Sequence, residues 1–145
     1  MIAMALTAVV AANAASTCPY APVGPFKAKG KTVLDGHVEC KATYAGMINP
    51  DGTMEISAAA FAPGNVDCAT ITPTGLPWSG NTTGFTTGVL NNYGYVSPSF
   101  TCGPGSLTIT YTENGKFTFN QLITGCRTRG HFHTRPEIEI TKFCG

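Results

Sequence analysis

Between residues 106 and 124 the chain alternates. Leu107, Ile109 and Tyr111 are spaced by Thr108 and Thr110, and beyond Glu113-Asn114-Gly115 come Phe117 and Phe119, spaced by Thr118. Period two is the strand period, with one face apolar and the other polar. A two-residue Asn114-Gly115 loop would set Tyr111 against Thr118, apolar against polar. A three-residue loop, Glu113-Asn114-Gly115, pairs Tyr111 with Phe117 and Ile109 with Phe119, and Gly115 takes the left-handed position of a bulged turn. The three-residue loop is therefore expected. Strand-like runs recur at 32–45, 53–62, 66–72, 85–96, 106–112, 116–124 and 136–143. Turn signals separate them: Asn49-Pro50-Asp51-Gly52, Ala62-Pro63-Gly64-Asn65 and Gly103-Pro104-Gly105. Pro19, Pro22 and Pro25 make 15–31 extended but a poor ladder member, because proline lacks a donor. Residues 55–62 (EISAAAFA) are ambiguous in period but short for a helix. With 17 Gly, 10 Pro and only 12% charged residues in 145, a coiled coil or long helix is excluded, while 43% hydrophobic content excludes disorder. The expected fold is all-β: an antiparallel two-sheet sandwich of about seven short strands, with a barrel as second choice.

The N-terminus reads as a targeting segment. Residues 1–12 are uncharged and apolar, and Ala12-Asn13-Ala14 offers a small-x-small cleavage site, so 1–14 is expected to be a signal peptide and 15–145 a single exported β-domain. The apolar run is too short to span a bilayer, which takes about 20 residues, so no transmembrane segment is expected after its removal. Cys18, Cys40, Cys68, Cys102, Cys126 and Cys144 agree with export: none are close enough for a CxxC motif, and an even count in an exported chain reads as three disulfides. Six cysteines allow fifteen pairings. The expected set is Cys18–Cys144, tying the termini, with Cys40–Cys68 and Cys102–Cys126 closing loops on the order of 25 residues.

Catalytic signatures are missing. There is no GxSxG elbow, HExxH or phosphate-cradling glycine loop, and no cofactor is implied. Glu137 and Glu139 share a strand face, as a glycosidase pair would, but Ile138 and Ile140 alternate with them, which makes the glutamates the wet face of a strand. His131-Phe132-His133 would aim two imidazoles the same way, with His37 as a third metal ligand. Arg127, Arg129 and Arg135 flank the pair and repel a cation, so a metal site is not favoured. The same arginines with Lys27, Lys29 and Lys31 could meet a polyanion, though a solvated face is the simpler reading. A net charge of +1 speaks against nucleic acid. Asn81-Thr82-Thr83 is a glycosylation sequon for hosts with that machinery.

Residues 69–112 contain no charged side chain. Within them Trp78, Phe85, Tyr93, Tyr95 and Phe100 are diluted with Gly, Asn, Ser and Thr. They are either sandwich core or an apolar patch offered to a hydrocarbon, a lipid or a second subunit, and the face that Trp78 occupies decides between the two. The landmarks run in the order Phe26, Lys29-Gly30, Cys40-Lys41-Ala42-Thr43-Tyr44, Asp51-Gly52, Cys68, Gly75-Leu76-Pro77-Trp78 and Cys102-Gly103. This order, and the GLPW tetrapeptide most of all, resembles the PraB-type activators of alkane oxidation, small exported bacterial proteins. The resemblance covers 26–112 and does not reach Cys126, the His-Phe-His triplet or Cys144. It implies a secreted, non-catalytic factor that aids contact with water-insoluble hydrocarbons or lipids. Two other classes stand beside it: a structural or adhesive subunit of an extracellular fibre that self-assembles by strand pairing, and a periplasmic metal-binding module.

Overall fold

The computed structural model describes residues 18–62 and 66–141. The expected signal peptide and Cys144 of the expected Cys18–Cys144 pair lie outside the described residues. The described chain forms β1 (Tyr20–Ala21), β2 (Gly24–Leu34), β3 (Val38–Ile48), β4 (Met54–Ala62), β5 (Thr72–Thr74), β6 (Trp78–Thr82), β7 (Thr87–Val96), β8 (Thr101–Tyr111), β9 (Lys116–Ile123), β10 (Cys126–Arg135) and β11 (Glu139–Ile140). Two 3-10 turns join them, at Val66–Thr70 and Glu113–Gly115.

The strands follow one another in the order β5-β7-β6-β4-β3-β2-β10-β9-β8, and a further pairing of β7 with β8 closes the sheet. The result is an eight-stranded antiparallel barrel, not the two-sheet sandwich. Closure gives every barrel strand a neighbour on both sides, so the unpaired ladders a sandwich leaves at its margins are removed. A small separate sheet, β1 with β11, pairs Tyr20 with Ile140 and Ala21 with Glu139.

β5 and β6 are two halves of one barrel strand. Both pair antiparallel with β7: Thr74 lies opposite Gly94, and Ser79 opposite Asn91. Four residues, Gly75-Leu76-Pro77-Trp78, therefore face the two residues Asn92 and Tyr93, and the excess is a bulge. Gly75 is required there: its φ is +77°, and a Cβ would fall 2.4 Å from the carbonyl oxygen of Asn92. The Trp78 indole N–H donates to the Thr74 carbonyl at 2.8 Å and clasps the bulge across its base.

Three expected strand segments differ from what forms. The run 32–45 is a hairpin, β2 turning into β3 through Asp35-Gly36-His37, where Asp35 and Gly36 both have positive φ. Residues 15–31 contribute most of β2, a strand paired along both sides, because Pro25 sits near its start and the rest is proline-free. The run 66–72 is a 3-10 turn ahead of β5. β10 was absent from the expected strands, yet it pairs with both β2 and β9. The β8–β9 turn follows the three-residue expectation: Tyr111 pairs with Phe117, and Gly115 has φ +75°.

The barrel has two distinct ends. At one, the turns at 49–53, 83–86 and 112–115 meet the β1–β11 sheet; the Tyr20 N–H donates to Gly52 at 2.9 Å and the Tyr111 hydroxyl to the Tyr20 hydroxyl at 2.9 Å. At the other, two disulfides hold the chain. Cys40–Cys68 ties β3 to the first 3-10 turn with Cα atoms 5.7 Å apart, and Cys102–Cys126 ties β8 to β10 at 5.4 Å.

Candidate functional site

Period two in a closed barrel sorts side chains into a lumen and an outer wall. The lumen is aromatic. Tyr44 stacks on Phe132 at 4.6 Å between ring centroids, Phe132 on Phe117 at 5.2 Å and Phe119 at 5.9 Å, and Trp78 leans on Tyr93 at 4.6 Å. These rings fill the interior as core, so the lumen is not a chamber for a hydrocarbon.

This placement corrects the expected contact surface. Trp78, Tyr93 and Tyr95 are each 0% exposed, and Phe100 packs half-buried against Tyr95 at 5.9 Å. The physical reason is the barrel itself: the Gly, Asn, Ser and Thr between these aromatics are its outer wall, which turns the rings inward. Phe85 alone of the five is open to solvent, 61% exposed in the turn between β6 and β7. Val23 (57%), just before β2, and Met47 (41%), next to last in β3, stand exposed towards the same end. Leu122 (67%) lies towards the disulfide-held end. Val23 and Met47 were not singled out from sequence, since an isolated aliphatic residue carries no signal until the fold shows which positions share an end.

Burial acts on the phenols. Desolvation pushes Tyr20 up to about 12 against the lowering effect of its bond with Tyr111, and desolvation also raises Tyr44, Tyr93, Tyr95 and Tyr111 above the ordinary phenol value. The hydroxyls of Tyr44 and Tyr93 approach to 3.4 Å, and Tyr95 places its own 3.3 Å from the Cys126 sulfur. All stay neutral near pH 7 and serve as packed polar tips, not as acids or bases.

His131 and His133 do point the same way, outward on either side of the buried Phe132. His37 is not brought to them: it sits in the β2–β3 turn and bonds through Nδ1 with the Asp35 carbonyl oxygen at 2.8 Å. Among the described residues no group of three or more His, Cys, Asp or Glu is placed to hold a metal. His133 Nε2 instead lies 3.6 Å from the Glu137 carboxylate, which also lies 3.5 Å from Arg135 Nη1. Glu137 and Glu139 are exposed while Ile138 and Ile140 are buried, the expected alternation, but of the expected strand 136–143 only Glu139–Ile140 is a strand and Glu137 lies ahead of it.

Residues 1–142 match the family model described as alkane oxidation protein activator PraA/PraB-like, and the chain belongs to that family. No curated protein and no solved structure gives a significant match.

Proposed function

We propose that this PraA/PraB-like protein is an exported, non-catalytic factor that works at hydrocarbon or lipid surfaces. Contact is made by the end of the barrel that carries Val23, Met47 and Phe85. The observation behind this reading is the segregation of exposed apolar side chains: of the four large ones among the described residues, three stand towards one end. A filled barrel with both disulfides at the opposite end can expose them without rearranging, so contact requires no unfolding at the surface. The family description supplies the hydrocarbon. Assembly into a fibre by strand pairing has less to work with, since the barrel closes on itself and among the described residues the open ladder is confined to the short β1–β11 sheet and the β8–β9 seam.

Pendant-drop tension at a hexadecane–water interface tests the reading. The native protein is expected to lower the tension, and a Val23→Ser, Phe85→Ser variant to lose at least half of the effect at an unchanged melting temperature. A native protein no more active than an inert globule of equal size would sink the proposal.

A further inference from the structure

We propose that the outer face of β9, β10, β2 and β3 is a docking surface for an acidic polysaccharide, a polymer of carboxylate-bearing sugars. This inference does not rest on the hydrocarbon reading and concerns the cationic stretch of the wall, which Met47 of β3 borders at one end. The chain holds nine Lys and Arg, and eight of them stand exposed on these four adjacent strands: Lys27, Lys29 and Lys31 on β2, Lys41 on β3, Lys116 on β9, and Arg127, Arg129 and Arg135 on β10. His131 and His133 lie between them. Glu39 is the one carboxylate on the outward positions of these strands. Of the remaining wall, β4 carries only Glu55 and β5 to β8 no charge at all, so a net charge of +1 conceals a barrel with one strongly cationic side.

The register sharpens the point. Arg135 lies directly opposite Lys27, Lys31 directly opposite Lys41, and His133 between Lys116 and Lys29. Like charges facing one another across a ladder oppose sheet formation. A surface selected only for solubility would spread them over the vacant half of the wall. Gathered here, they make an array with steps of about 6.7 Å along a strand and about 4.8 Å between strands. At its head is a depression of about 500 Å³ lined by Lys27, Lys29, His133 and Arg135, large enough to take a sugar. Glu137 reaches two of these four side chains, at 3.6 Å from His133 and 3.5 Å from Arg135, and competes there with any incoming carboxylate.

The side chains between the cations identify the polymer. Thr43, Thr118 and Asn120 occupy outward positions and offer hydrogen bonds to hydroxyls. The phenyl and phenol rings of these strands, Phe26, Tyr44, Phe117, Phe119 and Phe132, are all buried, which leaves only the imidazoles and guanidinium planes of the array for bases to stack on. The array also has no large apolar side chain at its centre to enter a lipid layer; Met47 and Leu122 lie towards opposite ends of it.

Biolayer interferometry of the full protein on immobilised polygalacturonate tests the proposal, with dextran as the neutral polymer and single-stranded DNA and phosphatidylglycerol vesicles as the other anions. Binding to polygalacturonate but not dextran is expected, weakening as salt rises. A Lys27→Gln, Lys29→Gln, Arg135→Gln variant should bind about tenfold more weakly, in line with three lost exposed ion pairs. Glu137→Gln should bind more tightly than the native protein, an effect that a misfolded variant would not produce. Equal binding to dextran, tighter binding to DNA or vesicles, or a triple variant within twofold of native would overturn it.

Discussion

Trp78 and Phe85 stand seven positions apart and do opposite things. Trp78 is a core residue whose N–H also closes a bulge, so Trp78→Ala should cost about 3–5 kcal/mol in a urea titration. Phe85→Ser, at an exposed turn, should stay within about 0.5 kcal/mol of native. A Trp78→Ala variant of native stability would contradict the filled lumen. The tyrosines give a second test at this scale. All five have phenols raised by burial, that of Tyr20 to about 12, so above pH 10 the folded state retains protons that the unfolded chain releases. Stability is therefore fully present below pH 10 and falls as pH rises, by about 1.4 kcal/mol for each pH unit per phenol still protonated in the fold. Absorbance at 295 nm should stay flat at pH 10.5 and then rise together with loss of the far-ultraviolet signal; a phenol titrating near pH 10 in the folded protein would count against the burial. Sequence left the aromatic set divided between core and surface for a physical reason. A long uncharged stretch suggests an apolar exterior, yet a barrel wall of Thr, Ser, Asn and Gly is equally uncharged and fully wetted.

At the scale of elements, what could be read depended on how local the signal was. The β8–β9 turn was legible because alternation on both sides left one register that matched apolar faces. The β2–β3 hairpin carried an equally good Asp35-Gly36 signal, but Val33, Leu34 and Val38 on either side merged into one apparent run. The β5–β6 bulge was beyond reach, since it exists only against β7. The β8–β9 seam shows how side chains complete a ladder that the backbone leaves short. Only Thr110–Thr118 and Tyr111–Phe117 pair there. Further along, the Gln121 amide takes over: its Oε1 accepts from the Thr108 N–H at 2.7 Å and its Nε2 donates to the Ser106 carbonyl at 2.8 Å. The side chain occupies the place of a missing strand partner. Gln121→Ala frees both backbone groups to water and should cost about 1 kcal/mol. Amide exchange at Thr108 should quicken in the variant while that at Thr110 barely changes. Unaltered protection at Thr108 would show that the seam holds without the amide.

At the scale of the molecule, the cationic face was the least legible feature. Its residues lie in two blocks, 27–41 and 116–135, which become one surface only where β2 pairs with β10, a contact across roughly a hundred residues that no local pattern announces. The same long-range closure sets how the fold is secured. Ladders that join distant segments forfeit much loop entropy, and the two ends of the barrel offset it differently: the β1–β11 sheet covers one, and the disulfides secure the other. Cys40–Cys68 spans a separation of 28 residues and Cys102–Cys126 one of 24. By the loop-closure relation each restricts the unfolded chain by about 3.5 kcal/mol, together about 7 kcal/mol. That is comparable with the whole net stability of a domain of this size, about 5–15 kcal/mol. Cys40 and Cys68 also do different local work: Cys68 pins the 3-10 turn that carries the chain from β4 to β5, ahead of the Trp78 bulge. Reduction should therefore lower the melting temperature by well over 10 °C, because about 1 kcal/mol moves a domain of this length by roughly 3–6 °C. Cys40→Ser should lose its own loop's share, about 3.5 kcal/mol, and Cys102→Ser a similar amount. Scanning calorimetry with and without reductant, on the native chain and on the two variants, measures each contribution. A reduced protein melting with the oxidised one would mean that strand closure alone holds the barrel, and that the cysteines add nothing to its stability.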